Sequence, residues 1–471
     1  MSRIFISAAH KSSGKTTVSI GLCAALTRAG KTVQPYKKGP DYIDPYWLSQ
    51  ACGRSCYNLD FYTMHHDEIL ELLGRTSTDA DISIIEGNKG LYDGLDLDGS
   101  NSNAALATLT RTPVILVLNA RGMTRGIAPL ILGYQAFDKD VSIQGVILNQ
   151  LGGSRHESKL RAVIEHYTDV KVVGAIHTDK RFDIDERHLG LVPGHEDPHC
   201  QHKIELLADA VQDQVDLDVL LDIARTAEPL KPPPAQRQDV VDPDVRLGLV
   251  RSPAFGFYYP DDIEALQSAG ASIIEIDPET DTELPDIDAL FIGGGFPETH
   301  MQQLEANTSM RESIRNAIEN GLPTYAECGG LMYLARSIEW DDDRCEMVGA
   351  IDADIVMEQR PQGRGYVQLQ ETGNSLWPAA APDASPNTYQ GTSGNILYAH
   401  EFHYSRLKSV DNAVKFAFDV KRGTGIDGEH DGYIYRNLLA NYTHQRNTRS
   451  NPWAVRFINF ARSCKNRPFN P

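Results

Sequence analysis

The first half of the chain alternates short apolar runs with longer mixed stretches. Residues 3–7, 31–36, 81–87, 114–118 and 145–148 carry most of the Ile, Val, Leu and aromatic runs of this half, bounded by small, polar or charged residues. Runs of that length predict strands buried on both faces, and the segments between them predict covering helices. Together they predict a parallel sheet with helices on both sides. A helix over 204–223 is expected to close this half. Residues 228–236, Glu-Pro-Leu-Lys-Pro-Pro-Pro-Ala-Gln, have no periodicity and read as a linker. In the second half, strands are predicted at 245–250, 272–276, 289–292 and 321–324, and helices near Asp261 and over 310–320. Beyond Cys328 the pattern turns β-rich, with strands expected at 348–356 and 364–370. Residues 371–395, rich in Ala, Pro, Ser, Asn and Gly, read as a mobile loop. The expected architecture is α/β with two domains, 1–228 and 244–471, joined by a linker at 229–243.

Length supports that division, because 471 residues exceed what one hydrophobic core usually serves. A formal net charge of −19 disfavours nucleic acid or an anionic membrane as partner, while small anionic ligands respond to local charge. Seven cysteines without regular spacing predict a reducing, cytoplasmic setting and no disulfide framework. Cys52 and Cys56 lack a second pair that would complete a zinc site. Met1-Ser2-Arg3 runs straight into a strand, so no signal peptide is expected, and no apolar stretch reaches the roughly 18 residues of a membrane helix.

Chemistry enters first after the strand at 3–7. Residues 8–13 are a small-residue loop, and Gly14-Lys15-Thr16-Thr17 opens a helix. Strand, loop and helix in that order form a P-loop, with Ala9 where the first glycine usually stands. The N–H groups of Ser12, Ser13, Gly14, Lys15, Thr16 and Thr17 are placed to cradle ATP phosphates. Lys15 reaches those phosphates, and the Thr16 hydroxyl can hold Mg²⁺. Lys37-Lys38-Gly39-Pro40-Asp41-Tyr42-Ile43-Asp44 follows the next strand, and its paired lysines and aspartates suit phosphate and Mg²⁺. Glu86 ends the strand at 81–87, where P-loop proteins place a second carboxylate for the metal. Asn149 ends another strand and can read an adenine edge or simply turn the chain.

In the second half, Tyr325-Ala326-Glu327-Cys328-Gly329-Gly330 joins a short strand to a helix starting near Leu331. A cysteine on such a turn is a nucleophile elbow, and the helix N-terminus favours thiolate. Upstream, Gly293-Gly294-Gly295 follows a strand and offers N–H groups to an oxyanion. Downstream, His444 in Asn-Tyr-Thr-His ends a short strand and offers a base; His400 and His403 are its alternatives. Strand-GGG, strand-Cys-Gly-Gly and a late His resemble the class I glutamine amidotransferases.

Taken together, KKGPDYID, EGNKGLYDG, AFGFYYP, GGGFPE, AECGGLMYL, HEFHYS and KRGTGIDG resemble the cobyrinate a,c-diamide synthase family over nearly the whole length. The resemblance implies an N-terminal ATP-dependent, dethiobiotin-synthetase-like P-loop domain and a C-terminal class I glutaminase. It implies amidation of the a and c acetates of a tetrapyrrole polycarboxylate, spending glutamine, ATP and Mg²⁺. Cys328 is the implied nucleophile and His444 its acid and base, with Gly294, Gly295 and Gly329 as oxyanion donors. Lys37 joins the P-loop residues at ATP, Thr16, Asp41 and Glu86 are the implied metal ligands, and Asp41, Tyr42, Asp44, Lys89 and Asp93 face the acceptor. A homodimer is compatible with this reading; nucleic acid and membrane are not expected partners. Three positions depart from the family pattern. Arg446 stands where many glutaminases carry Glu two residues after the catalytic His, which suggests a Cys-His dyad, as the resemblance implies for this subfamily, and leaves open what orients His444. Asn119 replaces an expected Asp, and Asn88-Lys89 replaces two apolar residues. These departures keep a sirohaem-amidating version open. Lys89, Arg121, Arg125 and Arg187 are the candidate cations for an acidic ring. A competing class is a P-loop switch ATPase with an inert glutaminase-like domain; the intact Cys328, His444 and triple glycine weigh against it.

Overall fold

A computed structural model describes residues 2–182, 186–187, 190–191, 193–194, 196–230, 241–378, 396–408 and 413–465. The chain divides into two compact units, residues 1–236 and 237–471. Most of the predicted linker, residues 231–240, lies outside the described residues.

The first unit is built on a sheet of seven described strands in the order β3 (Tyr57–Leu59), β2 (Val33–Lys38), β4 (Ile82–Glu86), β1 (Arg3–Ala8), β5 (Val114–Asn119), β6 (Ile143–Leu151) and β7 (Lys171–His177). Every pairing is parallel. Ile4, Ile6, Ile84, Ile115 and Val117 pack on one face, and Phe5, Ile85, Val114 and Leu116 on the other. That two-sided burial explains why these strands read as nearly continuous apolar runs. A small antiparallel pair, β8 (Glu186–Arg187) and β9 (Gly190–Leu191), follows. The helix expected over 204–223 is two helices, Cys200–Gln214 and Leu217–Arg225. Val215 bridges to Gly174 of β7, and the Asp216 carboxylate accepts from Val219 N at 3.0 Å, capping the second helix. An N-cap aspartate starts a new helix because it satisfies an amide that the previous turn cannot.

The second unit is built on a sheet of nine described strands. Its parallel half runs β12 (Ala271–Ile276), β10 (Val245–Val250), β13 (Ala289–Ile292), β15 (Thr324–Glu327), β24 (Leu438–Asn441). It continues antiparallel through β23 (His430–Tyr435), β22 (Lys415–Arg422), β19 (Gly363–Glu371) and β20 (Ile396–His403). A short pair joins β11 (Phe255–Phe257) to β14 (Gly294–Gly295), and a second sheet orders β17 (Asp343–Glu346), β16 (Ser337–Trp340), β18 (Asp354–Met357), β21 (Ser405–Lys408). The strand expected at 348–356 forms only at its end. Met347, Val348, Ala350 and Ile351 are buried without strand pairing. Their amides instead cap the helix Gly329–Leu334: Val348 N donates to Tyr333 O at 3.0 Å, Gly349 N to Ala335 O at 2.7 Å and Ile351 N to Leu334 O at 2.9 Å. An apolar run with its backbone satisfied this way is indistinguishable from a strand by periodicity. Of the loop expected at 371–395, residues 379–395 lie outside the described residues, while Trp377 is buried in the core.

Candidate active site

Cys328 sits between β15 and the helix Gly329–Leu334 with φ 49° and ψ −105°. Such a conformation costs about 1–3 kcal/mol for a non-glycine residue and persists only where the surroundings enforce it. The Cys328 amide donates to Asn441 O at 2.7 Å, and its carbonyl accepts from Met332 N at 3.1 Å. The following glycines make room for backbone. A Cβ at Gly329 would stand 2.9 Å from both the amide nitrogen and the carbonyl oxygen of Gly295, and one at Gly330 would press on Ile292.

His444 follows β24 by three residues and is buried. Its amide donates to His400 O at 2.8 Å, and His400 N donates back to His444 O at 3.3 Å. Its Nδ1 lies 3.5 Å from Glu327 Oε2, and the Cys328 sulfur, whose thiol lies 4.0 Å from Phe402 O, is a near neighbour of the ring. Burial alone would lower the imidazole pKa; the Cys328 sulfur and the Glu327 carboxylate outweigh it and hold His444 up at about 10. The ring of His400 stacks on that of His444 at 4.9 Å and 15°. Burial, then the neighbouring His444 and Arg446 charges, push His400 well below 6.5, so it stays neutral. His403 contacts Ser405 O through Nδ1 at 2.8 Å and stacks on Tyr442 at 4.0 Å. Of the three candidate bases, His444 is the one whose basicity the Cys328 sulfur raises.

The triple glycine lies against this pair. Gly293 N donates to Tyr258 Oη at 2.8 Å, so that amide is spoken for. Gly294 and Gly295 pair antiparallel with Phe257 and Phe255, and a Cβ at Gly294 would run into the His444 ring. Arg446 points elsewhere. Its Nη2 is 2.7 Å from Asp261 Oδ2, and its guanidinium lies 4.7 Å from the Tyr259 ring centroid.

In the first unit, Gly14 caps the helix Lys15–Arg28 with φ 81°, and a Cβ there would collide with Asn149. Asn149 Nδ2 donates to Ser13 O at 2.9 Å, so this side chain buttresses the P-loop. Ser13 Oγ donates to His10 O at 2.8 Å, and Ser12 takes φ 64°. The parallel register sets Lys37 of β2 beside Glu86 of β4. Thr16 Oγ1 donates to Glu86 Oε1 at 2.6 Å and lies 3.2 Å from Asp44 Oδ2. Lys15 Nζ lies 3.4 Å from Glu86 Oε1; Lys37 Nζ lies 3.1 Å from the same oxygen, 3.7 Å from Asp41 Oδ2, and bonds to Asp44. Burial raises the Asp41 carboxyl to about 7, helped by the charge on Asp44 and opposed by Lys37. Glu86 Oε2 is buried with no hydrogen-bond partner. Among the described residues, no group of three or more His, Cys, Asp or Glu side chains could hold a metal ion by itself.

Residues 4–192 match the family described as the CobQ/CobB/MinD/ParA nucleotide binding domain, and residues 246–452 match the CobB/CobQ-like glutamine amidotransferase domain. A protein of Magnetococcus marinus named cobyrinate a,c-diamide synthase is 42% identical, covering 98% of this chain and 97% of that one. The chain belongs to the cobyrinate a,c-diamide synthase family. Relatives of the same name in Methanosarcina acetivorans and Archaeoglobus fulgidus are 40% and 39% identical, covering 94% and 98% of this chain and 92% and 98% of theirs.

The acceptor-side residues of the family pattern follow β2 and β4, on loops except for Asp44, which lies in the first turn of the helix Ile43–Cys52. Asp41 Oδ1 accepts from Ile43 N at 2.9 Å and Asp44 N at 3.2 Å, starting the helix that Tyr42 precedes. Asp93 Oδ2 accepts from Gly90 N at 2.9 Å and closes the 90–93 turn. Asn103, which sequence reasoning passed over, holds this loop from below: its Nδ2 donates to Gly90 O at 2.8 Å and to Asn88 O, and its Oδ1 accepts from Asn88 N at 3.1 Å. Lys89 is exposed with φ 41°. Arg125 stacks over Tyr167 at 5.1 Å, Arg121 is exposed, and the Arg187 side chain lies outside what the structure describes. Asn119 Oδ1 accepts from Arg121 N at 3.0 Å, a local turn. Glu327 was also passed over, because its place directly before the nucleophile carries no motif signal. No helix among the described residues is long and apolar enough to cross a membrane.

Proposed function

We propose that this chain amidates the a and c acetate side chains of cobyrinate, taking nitrogen from glutamine and energy from ATP. The observation that carries this reading is the strained Cys328 elbow beside a His444 held up at about 10, in a chain of this family. A basic imidazole beside the sulfur supplies the acid and base that activate a cysteine nucleophile. Cys328 attacks the glutamine amide carbon, His444 gives its proton to the departing ammonia, and water then hydrolyses the thioester with His444 as base. Amides of Gly294, Gly295 and Gly329 receive the oxyanion.

In the first domain, Ser12, Ser13, Gly14, Lys15, Thr16 and Thr17 hold the ATP phosphates, with Lys15 and Lys37 matching their charge. The donor set fits Mg²⁺. Thr16, Glu86 and Asp41 offer hard oxygens, and Glu86 Oε2 is buried without a partner. A metal shared with nucleotide phosphates needs only one or two protein carboxylates, so the absence of a three-carboxylate cluster accords with this. When bound, Mg²⁺ would neutralise charge on the transferring phosphoryl group. The acceptor carboxylate takes that phosphoryl group, and ammonia displaces phosphate. Asp41, Tyr42, Asp44, Lys89 and Asp93 line the acceptor side. The full-length relatives favour neither the sirohaem version nor a switch ATPase with an inert second domain.

The test is Cys328→Ala. It should lose glutamine-dependent synthesis while retaining synthesis from high ammonia at alkaline pH. Full glutamine-dependent activity in this variant would remove Cys328 as nucleophile.

A further inference from the structure

Glutaminases that use a Cys-His-Glu triad place the carboxylate two residues after the histidine, and here that residue is Arg446, turned away toward Asp261. The carboxylate that faces His444 comes from the other side of the site. Glu327 ends β15, one residue before the nucleophile, and its side chain is 4% exposed. Strand alternation puts Tyr325 and Glu327 on one face. Tyr325 O–H donates to Glu327 Oε1 at 2.5 Å, and Gln445 N donates to the same oxygen at 2.9 Å. Tyr325 Oη in turn accepts from Gln445 Nε2 at 3.1 Å and Asn441 Nδ2 at 3.3 Å. One carboxylate oxygen is thus fixed by two donors, and the other, Oε2, faces His444 Nδ1 at 3.5 Å.

Resting on the glutaminase reading above, we propose that Glu327 is the positioning residue for His444, a third member of the site supplied from immediately before the nucleophile. A carboxylate at Nδ1 fixes the tautomer and ring orientation that leave the other nitrogen for Cys328, and stabilises the imidazolium. At 3.5 Å the contact is an ion-pair distance and not a formed hydrogen bond, and catalytic hydrogen bonds are often this long before substrate binds. The groups around His444 and Glu327 leave Glu327 in this role. His400 is neutral and stacked on the ring; Arg446 is engaged with Asp261. Asp262 carries a raised carboxyl pKa from burial, and Tyr258 and Tyr325 are raised for the same first reason.

Glu327→Gln keeps the volume and an acceptor for Gln445 N but removes the charge. Glutamine-dependent kcat should fall about 100-fold, with little change in glutamine KM and with ammonia-dependent synthesis retained. The alkaline limb of the glutaminase pH profile should move to lower pH, since His444 loses a neighbour that raises it. Glu327→Asp should recover part of both the turnover and the alkaline limb. Wild-type kcat and an unshifted alkaline limb in Glu327→Gln would overturn the proposal. If Glu327→Gln also loses ammonia-dependent synthesis, Glu327→Asp decides: an alkaline limb restored toward wild type keeps the assignment, and a limb still shifted as in Glu327→Gln together with reduced stability would make Glu327 structural and overturn it. A wild-type enzyme without glutaminase activity would instead overturn the reading on which it rests.

Discussion

Replacing Arg446 by Met should destabilise the glutaminase domain without touching the nucleophile. The guanidinium is 2% exposed, bonded to Asp261 at 2.7 Å and stacked on Tyr259 at 4.7 Å. Beside it, buried Asp262 accepts from Asn447 N at 2.8 Å and Trp453 Nε1 at 3.3 Å. Removing the cation strands a partly buried and a fully buried carboxylate together. Breaking one side of a buried pair costs about 3–5 kcal/mol. The stacking adds to this, while the slight exposure of Asp261 subtracts, so that range stands. For a domain of this size the melting transition should fall by roughly 6–20 °C. The pH dependence has a definite sign. Burial, then the charge of Asp261, raises Asp262 above its ordinary value, and Arg446 opposes the rise. A carboxyl raised in the folded state costs stability as pH climbs past its unfolded value, and the variant raises it further. The gap between variant and wild type should therefore widen as pH rises past the folded-state value of the wild-type Asp262 carboxyl and narrow below it. Scanning calorimetry across that rise measures it. A loss below about 1 kcal/mol, or a gap independent of pH, would refute the reasoning. Arg446→Glu, which restores the spacing of triad glutaminases, should be worse, because it adds a carboxylate beside Asp261 and Asp262.

Gly294→Ala should lower glutaminase turnover about 100-fold through displacement of His444, sparing ammonia-dependent synthesis; equal activity in both assays would place the glycine outside the site. Lys15→Ala should lower glutamine- and ammonia-driven synthesis alike by ~100-fold or more, and loss of the glutamine reaction alone would contradict the division of labour. Lys89→Met should raise the acceptor KM about 2–5-fold, the range for an exposed ion pair, with ATP and glutamine KM unchanged; an unaltered acceptor KM would make Lys89 a solvated loop residue.

What the sequence disclosed follows from which interactions are local. The parallel strands were readable because burial on both faces leaves apolar runs, and the elbow because Cys-Gly-Gly after a strand encodes its own backbone. The break at Val215 was hidden because an N-cap aspartate inside an amphipathic stretch looks like one more polar position. The 348–356 run misled because its amides cap a helix instead of joining a sheet. Glu327 was invisible for a different reason. Its partners, Tyr325, Gln445 and His444, meet only because β15 and β24 are neighbours. The open question of what faces His444 was posed by Arg446 in sequence, but its answer needed the register of two distant strands.

The central claim is tested most directly by following the nitrogen. The protein is incubated with cobyrinate, ATP, Mg²⁺ and glutamine labelled with nitrogen-15 at its amide, and the tetrapyrrole is examined by mass spectrometry. The account predicts new amides at the a and c acetates, each carrying the label, with ADP and phosphate formed alongside. ADP formation with an unaltered ring, or amides without the label, would contradict it.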